Sequence, residues 1–207
     1  MNPLAAPSAR RRFIRAAGAM GAGSLLSGLG SASAPGILIG ADLEIRDLTS
    51  TSDDAILTGA SLAVEDINRA GGLLGGRMLE LVIRDNRSVP SRGMDNVREF
   101  VQTERMPAYL CGKFSPVTLE QVPIAHQHGL ILLNPWSAAD AIIDNGHSPN
   151  FAFRIGLRDS WAMEAILRRL GERDLGDIGL MLPASAWGRS SAAAREKLGV
   201  SQPRLRI

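Results

Sequence analysis

The stretch "DINRAGGLLGGRMLELVIRDN", residues 66–86, decides the fold because two glycine pairs separate a helix-like pattern from a strand-like one. Before the glycines, apolar residues between Ile56 and Ile67 recur at the spacing of a single helical stripe. After the glycines, apolar residues alternate over residues 79–83, as they do in a strand. The stretch therefore predicts a helix that turns directly into a strand.

Each glycine pair has a predicted role in that turn. A helix that ends at residues 68–70 needs a residue that tolerates left-handed geometry just beyond it, and Gly71 or Gly72 supplies one. The second pair, Gly75-Gly76, is expected to turn the chain tightly into the strand. With a buried strand predicted at residues 36–41, the segment makes a βαβ unit.

The alternation of strand and helix patterns continues along the chain. Strands that alternate with helices of this length predict an α/β fold, in which a parallel sheet is covered by helices on both faces. The further predicted elements are a helix at 94–101, a strand at 107–112, a helix at 118–127, a strand at 130–135, an extended segment at 150–156, a helix capped by Ser160 and closed by Gly171, a buried strand at 177–183 and a helix at 189–198.

The predicted elements divide into two lobes of unequal size. Residues 35–150 are expected to form an N-terminal α/β lobe, and residues 151–207 to begin a second one. The second lobe contains one helix-strand-helix unit and a short tail, which are too few elements to cover their own apolar faces. We therefore expect the second lobe to be incomplete.

The composition is that of a folded protein, with 45% hydrophobic and 21% charged residues in a chain of 207. This excludes disordered and collagen-like chains. Residues 1–34 hold four of the 23 basic residues and no acid, which leaves 19 basic against 21 acidic residues, a net charge of −2, elsewhere. A slightly acidic body argues against nucleic-acid binding. The single cysteine, Cys111, is expected to be buried and inert.

Residues 1–34 have the layout of a signal peptide. The basic sequence "RRRFIR" at residues 10–15 precedes a mildly apolar run rich in alanine and glycine, and small residues follow at 31–34. The pattern R-R-x-F-I-R resembles the twin-arginine export signal, and an ordinary secretory signal is the alternative. We expect the mature, exported protein to begin near residues 33–35.

The loops after the predicted strands are the candidate binding sites, because parallel sheets bind ligands beyond the carboxyl ends of their strands. In "GKFSPVT", residues 112–118, Ser115 is expected at a helix N-cap with Pro116 in the first turn. Its hydroxyl can hold a carboxylate or phosphate, or it can only cap the helix. In "NPWSAAD", residues 134–140, Trp136 can stack on a ligand or cover the sheet edge.

The motifs of common enzyme classes are missing from the sequence. It contains no G-x-S-x-G, no G-x-x-x-x-G-K-S/T, and no G-x-G-x-x-G after a predicted strand. His126 and His128 lie two positions apart on a predicted helix, so they point to different faces, and both are expected at the surface. We therefore expect no catalytic residue, no metal site and no cofactor.

Four segments resemble the type I periplasmic binding proteins, specifically the branched-chain amino acid and amide receptors of ABC importers. The resemblance runs from about Gly36 to Leu198 and implies two α/β lobes that close on a ligand in the cleft between them. The segments, in the family's order, are "TGASLAVEDINRAGGLLGGRMLELVIRDN" (58–86), "YLCGKFSPVT" (109–118), "HGLILLNPWSAAD" (128–140) and "NFAFRI" (150–155).

The resemblance also implies which residues contact the ligand. Ser115 matches the serine whose hydroxyl and neighbouring amides hold a carboxylate. Ser137 and Ala138 match a loop that contributes a backbone carbonyl and a hydroxyl, although Ala138 lacks that hydroxyl, a departure that bears on recognition of an α-amino group. Trp187, in "ASAWGRS", matches an aromatic residue that covers the ligand. The expected ligand-binding residues are Phe114, Ser115, Trp136, Ser137, Ala138 and Trp187.

The function implied by this resemblance is that of a periplasmic solute-binding protein. It would bind a small amino acid, amide or related carboxylate as a monomer and pass it to an ABC permease in the membrane. The alternatives are a periplasmic sensor of the same fold, a truncated receptor without function, and an exported α/β hydrolase that uses Asp85 with Ser115.

Overall fold

The computed structural model describes residues 35–45, 51–173 and 179–199, all within one compact unit that spans residues 33–207. The predicted signal peptide lies outside the described residues. The elements are β1 (Ile37–Leu43), α1 (Thr51–Arg69), β2 (Leu79–Asp85), α2 (Pro90–Gln102), β3 (Ala108–Cys111), α3 (Ser115–His128), β4 (Ile131–Asn134), a 3-10 turn (Asp140–Ile142), β5 (Ala152–Arg154), α4 (Asp159–Glu172) and α5 (Ala186–Gly199). None of these helices is long and apolar enough to cross a bilayer.

The five strands form one parallel sheet in the order β2-β1-β3-β4-β5. Helices connect β1 through β4 because two parallel neighbours cannot be joined by a tight turn. The extended segment predicted at residues 150–156 forms β5, which pairs with β4 at the edge of this same sheet. The predicted α/β fold with a parallel sheet is therefore confirmed.

One face of the sheet carries the main hydrophobic core. Tyr109 and Cys111 of β3 and Leu132 of β4 point to this face, where they pack against α2 and α3. Val97 and Phe100 of α2 have no exposed surface and belong to the same cluster. The predicted helical stripe at residues 94–101 thus lies against the sheet.

The other face of the sheet packs against α1. Ile56 of α1 forms a small buried cluster with Ala41 and Leu43 of β1. Leu110 and Leu133 point to this face and line an apolar groove of about 450 Å³ beside α1. Helices therefore lie on both faces of the sheet, as the sequence predicts.

The first glycine pair ends α1 in the predicted manner. Gly71 and Gly72 have φ angles of 101° and 78°, in the left-handed region that favours glycine. The amide of Gly72 donates to the carbonyl of Ile67 at 2.9 Å. Asn68 then joins the helix to β2, because its side chain donates to the carbonyl of Leu79 at 2.9 Å and accepts the Leu79 amide at 2.8 Å.

Substitution of Gly72 by alanine is expected to lower the free energy of unfolding by about 2 kcal/mol. The φ angle at this position is unfavourable for alanine, and a Cβ would lie 2.5 Å from the carbonyl oxygen of Arg77. Gly75→Ala is the matched control, since Gly75 has a φ of 84° but no atom within 4 Å of its Cβ position. It should cost about 1 kcal/mol. Equal losses in urea denaturation would contradict the role of the close contact.

The predicted boundaries of α4 are wrong. Ser160 does not cap the helix, which begins at Asp159 with Arg158 at the N-cap position. Gly171 does not close it, because the helix continues to Glu172. The carboxylate of Asp140 accepts the Ser160 amide at 3.3 Å, so a residue distant in sequence takes the place of the local cap.

The strand predicted at residues 177–183 is not formed by its described part. Residues 179–183 are irregular, and residues 177–178 lie outside the described ranges. Met181 is 98% exposed, although the sequence predicts it to be buried. An apolar run becomes a strand only beside a neighbour with which it can pair, and no such neighbour is described here.

His126 was expected at the surface but is half-buried in the structure. Its Nδ1 atom lies 2.8 Å from the carbonyl oxygen of Val122, and its Nε2 accepts the amide of Phe151 at 3.0 Å. The ring stacks on His147 with centroids 4.1 Å apart. This histidine therefore joins α3 to the segment that leads into β5.

Cys111 is fully buried at the end of β3, which confirms the predicted burial. Burial raises the pKa of its thiol to about 12. Because the thiolate is the reactive form, this environment keeps the side chain unreactive near neutral pH.

Candidate functional site

A cavity of about 430 Å³ opens beyond the carboxyl ends of β3 and β4. Parallel sheets bind ligands at this end, and small-molecule sites measure roughly 300–1,000 Å³. The walls come from the loop after β3, the start of α3, the loop after β4, and α5. The lining residues are Lys113, Phe114, Ser115, Trp136, Ala138 and Trp187. The fold thus brings together all of the predicted site residues except Ser137.

Ser115 lies on the cavity wall as the first residue of α3, and Phe114 occupies the N-cap position that was predicted for the serine. The carbonyl of Phe114 accepts the amides of Val117 and Thr118 at 3.0 and 3.2 Å, which satisfies the first turn without a side-chain cap. Ser115 is 3% exposed, and its oxygen accepts the amide of Ala139 at 3.3 Å. Since the oxygen is the acceptor in that bond, the hydroxyl hydrogen can donate to a ligand at the positive end of the helix.

Three partly exposed aromatic side chains share the cavity with Ser115. The exposed fractions are 36% for Phe114, 52% for Trp136 and 44% for Trp187. Trp136 is held in place by its backbone, since its amide donates to Asn134 Oδ1 at 3.2 Å. Gly156 lies so close that a Cβ there would be 3.6 Å from the Trp136 Cα. The backbone of Trp136 is therefore fixed, and the exposed aromatic surface of its side chain is available to a ligand.

Ser137 lies beneath the cavity wall and does not line the cavity. It has no exposed surface, and its hydroxyl donates to the carbonyl of Gly112 at 2.8 Å. The same oxygen lies 2.9 Å from the hydroxyl oxygen of Thr118. The Ser137 hydroxyl is thus used within the protein, where it joins the loops after β3 and β4.

One arginine holds the backbone of the loop after β4. Nη1 of Arg154 donates to the carbonyl of Ala138 at 2.9 Å, and Nη2 donates to the carbonyl of Ala139 at 2.5 Å. The amide of Asp159 also donates to the Ala138 carbonyl, at 2.9 Å. Arg154 is not predictable as a site residue from the sequence, since nothing local distinguishes this last residue of β5 from a surface arginine.

Lys113 is a further cavity residue that was not among the predicted ones. Its Nζ lies 2.7 Å from Glu44 Oε2, and its amide donates to Asp53 Oδ1 at 2.8 Å. The other carboxylate oxygen of Asp53 accepts the Glu44 amide at 2.9 Å. The first turn of α1 is thereby joined to the ends of β1 and β3. Its position in the sequence indicates this role, because Lys113 comes directly after a predicted strand that ends in a glycine.

A buried acid lies next to Trp187 outside the cavity lining. Asp159 is 4% exposed, and its Oδ2 has no hydrogen-bond partner in the part of the chain that is described. Burial raises the pKa of Asp159, whereas hydrogen bonds with the side chains of Ser190 and Trp187 lower it.

A second buried polar cluster surrounds Asp42, near the end of β1 and on the face of α2 and α3. Asp42 has no exposed surface. Its carboxylate accepts the side-chain amides of Asn96 at 2.7 Å and Asn86 at 2.9 Å, and it also accepts that of Gln121. Burial raises the pKa of Asp42 to about 6, although the three amides lower it.

The cavity lining combines one hydroxyl donor, one ammonium group and three aromatic surfaces. The hydroxyl at the start of α3 and the aromatic surfaces suit an anionic group attached to an apolar body, whereas the Lys113 ammonium is already paired with Glu44. In the described ranges, no group of three or more His, Cys, Asp or Glu side chains is placed to hold a metal ion.

Comparison with known proteins agrees with the observed fold. Residues 36–199 match the family described as periplasmic binding protein. An ABC transporter substrate-binding protein from Desulfitobacterium hafniense is 25% identical, with a TM-score of 0.71 over 83% of this chain and 48% of that one. A branched-chain amino acid transporter protein from Streptococcus pneumoniae is 24% identical, with a TM-score of 0.68 over 78% and 46%.

A solute-binding protein from Rhodopseudomonas palustris is 22% identical, with a TM-score of 0.72 over 83% of this chain and 46% of that one. The chain thus spans about half the length of the solved structures that it matches. A search of the curated proteins returned no match. Because the family match takes in most of the sequence, the chain belongs to the periplasmic binding protein family, of the type I kind that its sequence resembles.

Proposed function

We propose that the chain is an exported solute-binding protein of an ABC importer, which binds a small amino acid, amide or related carboxylate. The observation that carries this proposal is the cavity at the start of α3, where Ser115 and three aromatic side chains meet. Another similar structure from Desulfitobacterium hafniense contains leucine, and the Streptococcus pneumoniae and Rhodopseudomonas palustris structures contain isoleucine and benzoate. All three ligands carry a carboxylate, the group that the Ser115 hydroxyl suits.

Binding would rest on the carboxylate. The Ser115 hydroxyl donates to one carboxylate oxygen, and the N-terminus of α3 adds a favourable potential. A hydrogen bond to a charged group is roughly twice as strong as a neutral one. The sheet of β1–β5 would lie in one lobe and the residues after β5 would begin the other, and the ligand would favour their closed arrangement. No covalent step is involved.

Location and partners follow from the same proposal. Residues 1–34 would act as a twin-arginine-type signal peptide that directs the folded protein to the periplasm. Their arginine pair and small residues near position 34 support this assignment. The mature protein would act as a monomer and deliver its ligand to a membrane permease, since the similar structures come from ABC transporters.

Ser115→Ala is expected to weaken carboxylate binding at least about tenfold, because it removes a hydrogen bond to a charged group. The measurement is isothermal titration with a carboxylate selected by a thermal-melt screen of amino acids, amides and simple acids.

Ser91→Ala provides the matched control for this test. Ser91 is also a serine in the first turn of a helix with a proline at its start, but it is exposed on α2 and outside the cavity. Its substitution should leave the affinity unchanged. Equal affinities for Ser115→Ala and the unmodified chain would remove the carboxylate site from Ser115.

A further inference from the structure

We infer that Asp159 is a positioning residue of the candidate site, which holds the indole of Trp187 in place on the cavity wall. Where ligand affinity is concerned, this role rests on the proposed function. Hydrogen bonds connect Asp159 to Trp187 and Ser190 of α5 and to the loop after β4, which also lines the cavity.

The backbone of Trp187 is fixed by the first turn of α5. Ser185 directly precedes the helix, and its hydroxyl oxygen accepts the amide of Gly188 at 3.3 Å, as an N-cap residue does. Gly188 packs so closely that a Cβ there would overlap the carbonyl oxygen of Pro183. Trp187 itself is 44% exposed. The place of its indole on the wall is therefore set by the rotation of its own side chain.

Asp159 restrains that rotation. The carboxyl group of Asp159 is hydrogen-bonded by the side chains of Trp187 and Ser190. The polar group of an indole is its N–H, which donates and cannot accept, so Asp159 is the acceptor. Asp159 is 4% exposed, and a hydrogen bond that is shielded from water is stronger than one in solvent.

Ser190 connects the same carboxyl group to the cavity loop. Its oxygen accepts the amide of Asp140 at 3.1 Å, and its hydroxyl hydrogen can therefore donate to Asp159. Trp187 and Ser190 are three positions apart on α5, so they lie on one face of the helix. The carboxyl group of Asp159 thus holds this face of α5 at two points.

The main chain of Asp159 is anchored independently of its side chain. Asp159 is the first residue of α4, and its amide donates to the carbonyl of Ala138 at 2.9 Å. The same carbonyl accepts Arg154 Nη1 at 2.9 Å, and Ala138 lines the cavity. A substitution of the Asp159 side chain removes the contacts with α5 but leaves this backbone bond in place.

The first test measures the motion of Trp187 without any ligand. The sequence has three tryptophans, so Trp136→Phe and Trp161→Phe together leave Trp187 as the single tryptophan of the full chain. Asp159→Ala in this chain is expected to increase the amplitude of nanosecond indole motion at least about twofold, because unrestrained side chains rotate on this timescale. The measurement is time-resolved fluorescence anisotropy. An unchanged amplitude would overturn the inference.

Trp161 provides the control for a general disturbance of α4. It follows Asp159 by two positions on the same helix and is 57% exposed. With Trp136→Phe and Trp187→Phe, Trp161 becomes the single tryptophan, and Asp159→Ala should leave its anisotropy decay unchanged. An increase in motion as large as that of Trp187 would mean that the substitution disorders α4, and it would contradict a specific contact.

Ser190→Ala tests the second contact and remains available if Asp159→Ala does not fold. Asp159 then loses one of its two side-chain donors, so the amplitude of Trp187 motion should rise about 1.5-fold. Ser191→Ala is the matched control, since Ser191 is the next residue of α5 and is 7% exposed. It should leave the motion unchanged. Equal amplitudes for the two variants would contradict the inferred set of hydrogen bonds.

The second test measures ligand affinity by isothermal titration with leucine, isoleucine and benzoate. Trp187→Phe keeps an aromatic ring but removes the N–H that Asp159 accepts. Asp159→Ala is expected to weaken binding about threefold to tenfold in the unmodified chain, but less than about twofold in the Trp187→Phe chain, where the contact is already lost. Equal losses in both chains would overturn the positioning role. If none of the three probes binds, the proposed function loses its support, and the anisotropy comparison still decides whether Asp159 holds Trp187.

Discussion

Replacement of Phe100 by alanine is expected to lower the free energy of unfolding by about 3–5 kcal/mol, the range for removing a buried aromatic ring. Phe100 has no exposed surface and belongs to the main core between α2, α3 and the sheet. Its ring centroid lies 5.8 Å from that of Tyr109. A Cβ on Gly40 would lie 2.8 Å from the Phe100 ring, so the glycine of β1 is packed directly against it.

The measurement is urea denaturation followed by circular dichroism. Phe153→Ala is the matched control, because Phe153 is a phenylalanine of the same sheet that is 53% exposed. It should change the free energy of unfolding by less than about 1 kcal/mol. Similar losses for the two variants would mean that the ring of Phe100 is not packed as described.

Stability is expected to fall by about 2–3 kcal/mol between roughly pH 4 and pH 7 through Asp42 alone. Burial raises the pKa of this carboxyl to about 6 in the folded protein. An unfolded aspartate titrates near 3.9, so the folded state binds more protons between these two values. The free energy of unfolding therefore decreases as the pH rises through this window, and the loss is complete above about pH 7.

The contribution of Asp42 can be isolated by comparison with Asp42→Asn. The variant disturbs the hydrogen bonds from three side-chain amides, which changes its free energy of unfolding by a constant amount at every pH. It also removes the titrating group. The stability difference between the two proteins should therefore change with pH by about 2–3 kcal/mol. A constant difference between Asp42→Asn and the unmodified chain would contradict the raised pKa.

The parts of the fold that were predictable depend on local backbone physics. The structure of residues 66–86 is determined locally, because Gly71 and Gly72 can adopt a positive φ without a contact from a distant segment. The alternation of apolar residues likewise predicts which side chains of β3 and β4 point to each face. These local signals were sufficient for the helices and strands through β4.

The incorrect predictions concern segments whose structure depends on a residue that is distant in sequence. Ser160 was assigned a capping role because its local sequence suits one, but Asp140 supplies the hydrogen bond from another segment. Residues 179–183 have the composition of a strand but no described neighbour with which to pair. Strand pairing and helix capping by groups that are distant in sequence produce no periodic pattern of residues.

The candidate site likewise combines features that the local sequence predicts with contacts that it does not. The positions of Ser115 and Trp136 after predicted strands were enough to place both at one cavity. The burial of Ser137 depends on Gly112 and Thr118, and the state of the loop carbonyls depends on Arg154. Which oxygen atoms remain available to a ligand is thus a property of the assembled loops.

The burial of Cys111 has a practical consequence for optical detection. A maleimide dye attacks thiolates, and a fully buried thiol with a pKa of about 12 offers almost none. Since this is the only cysteine in the sequence, a second cysteine introduced at the cavity rim would be the single labelled position. An environment-sensitive fluorophore attached there would convert the chain into a reagentless sensor for its own ligand.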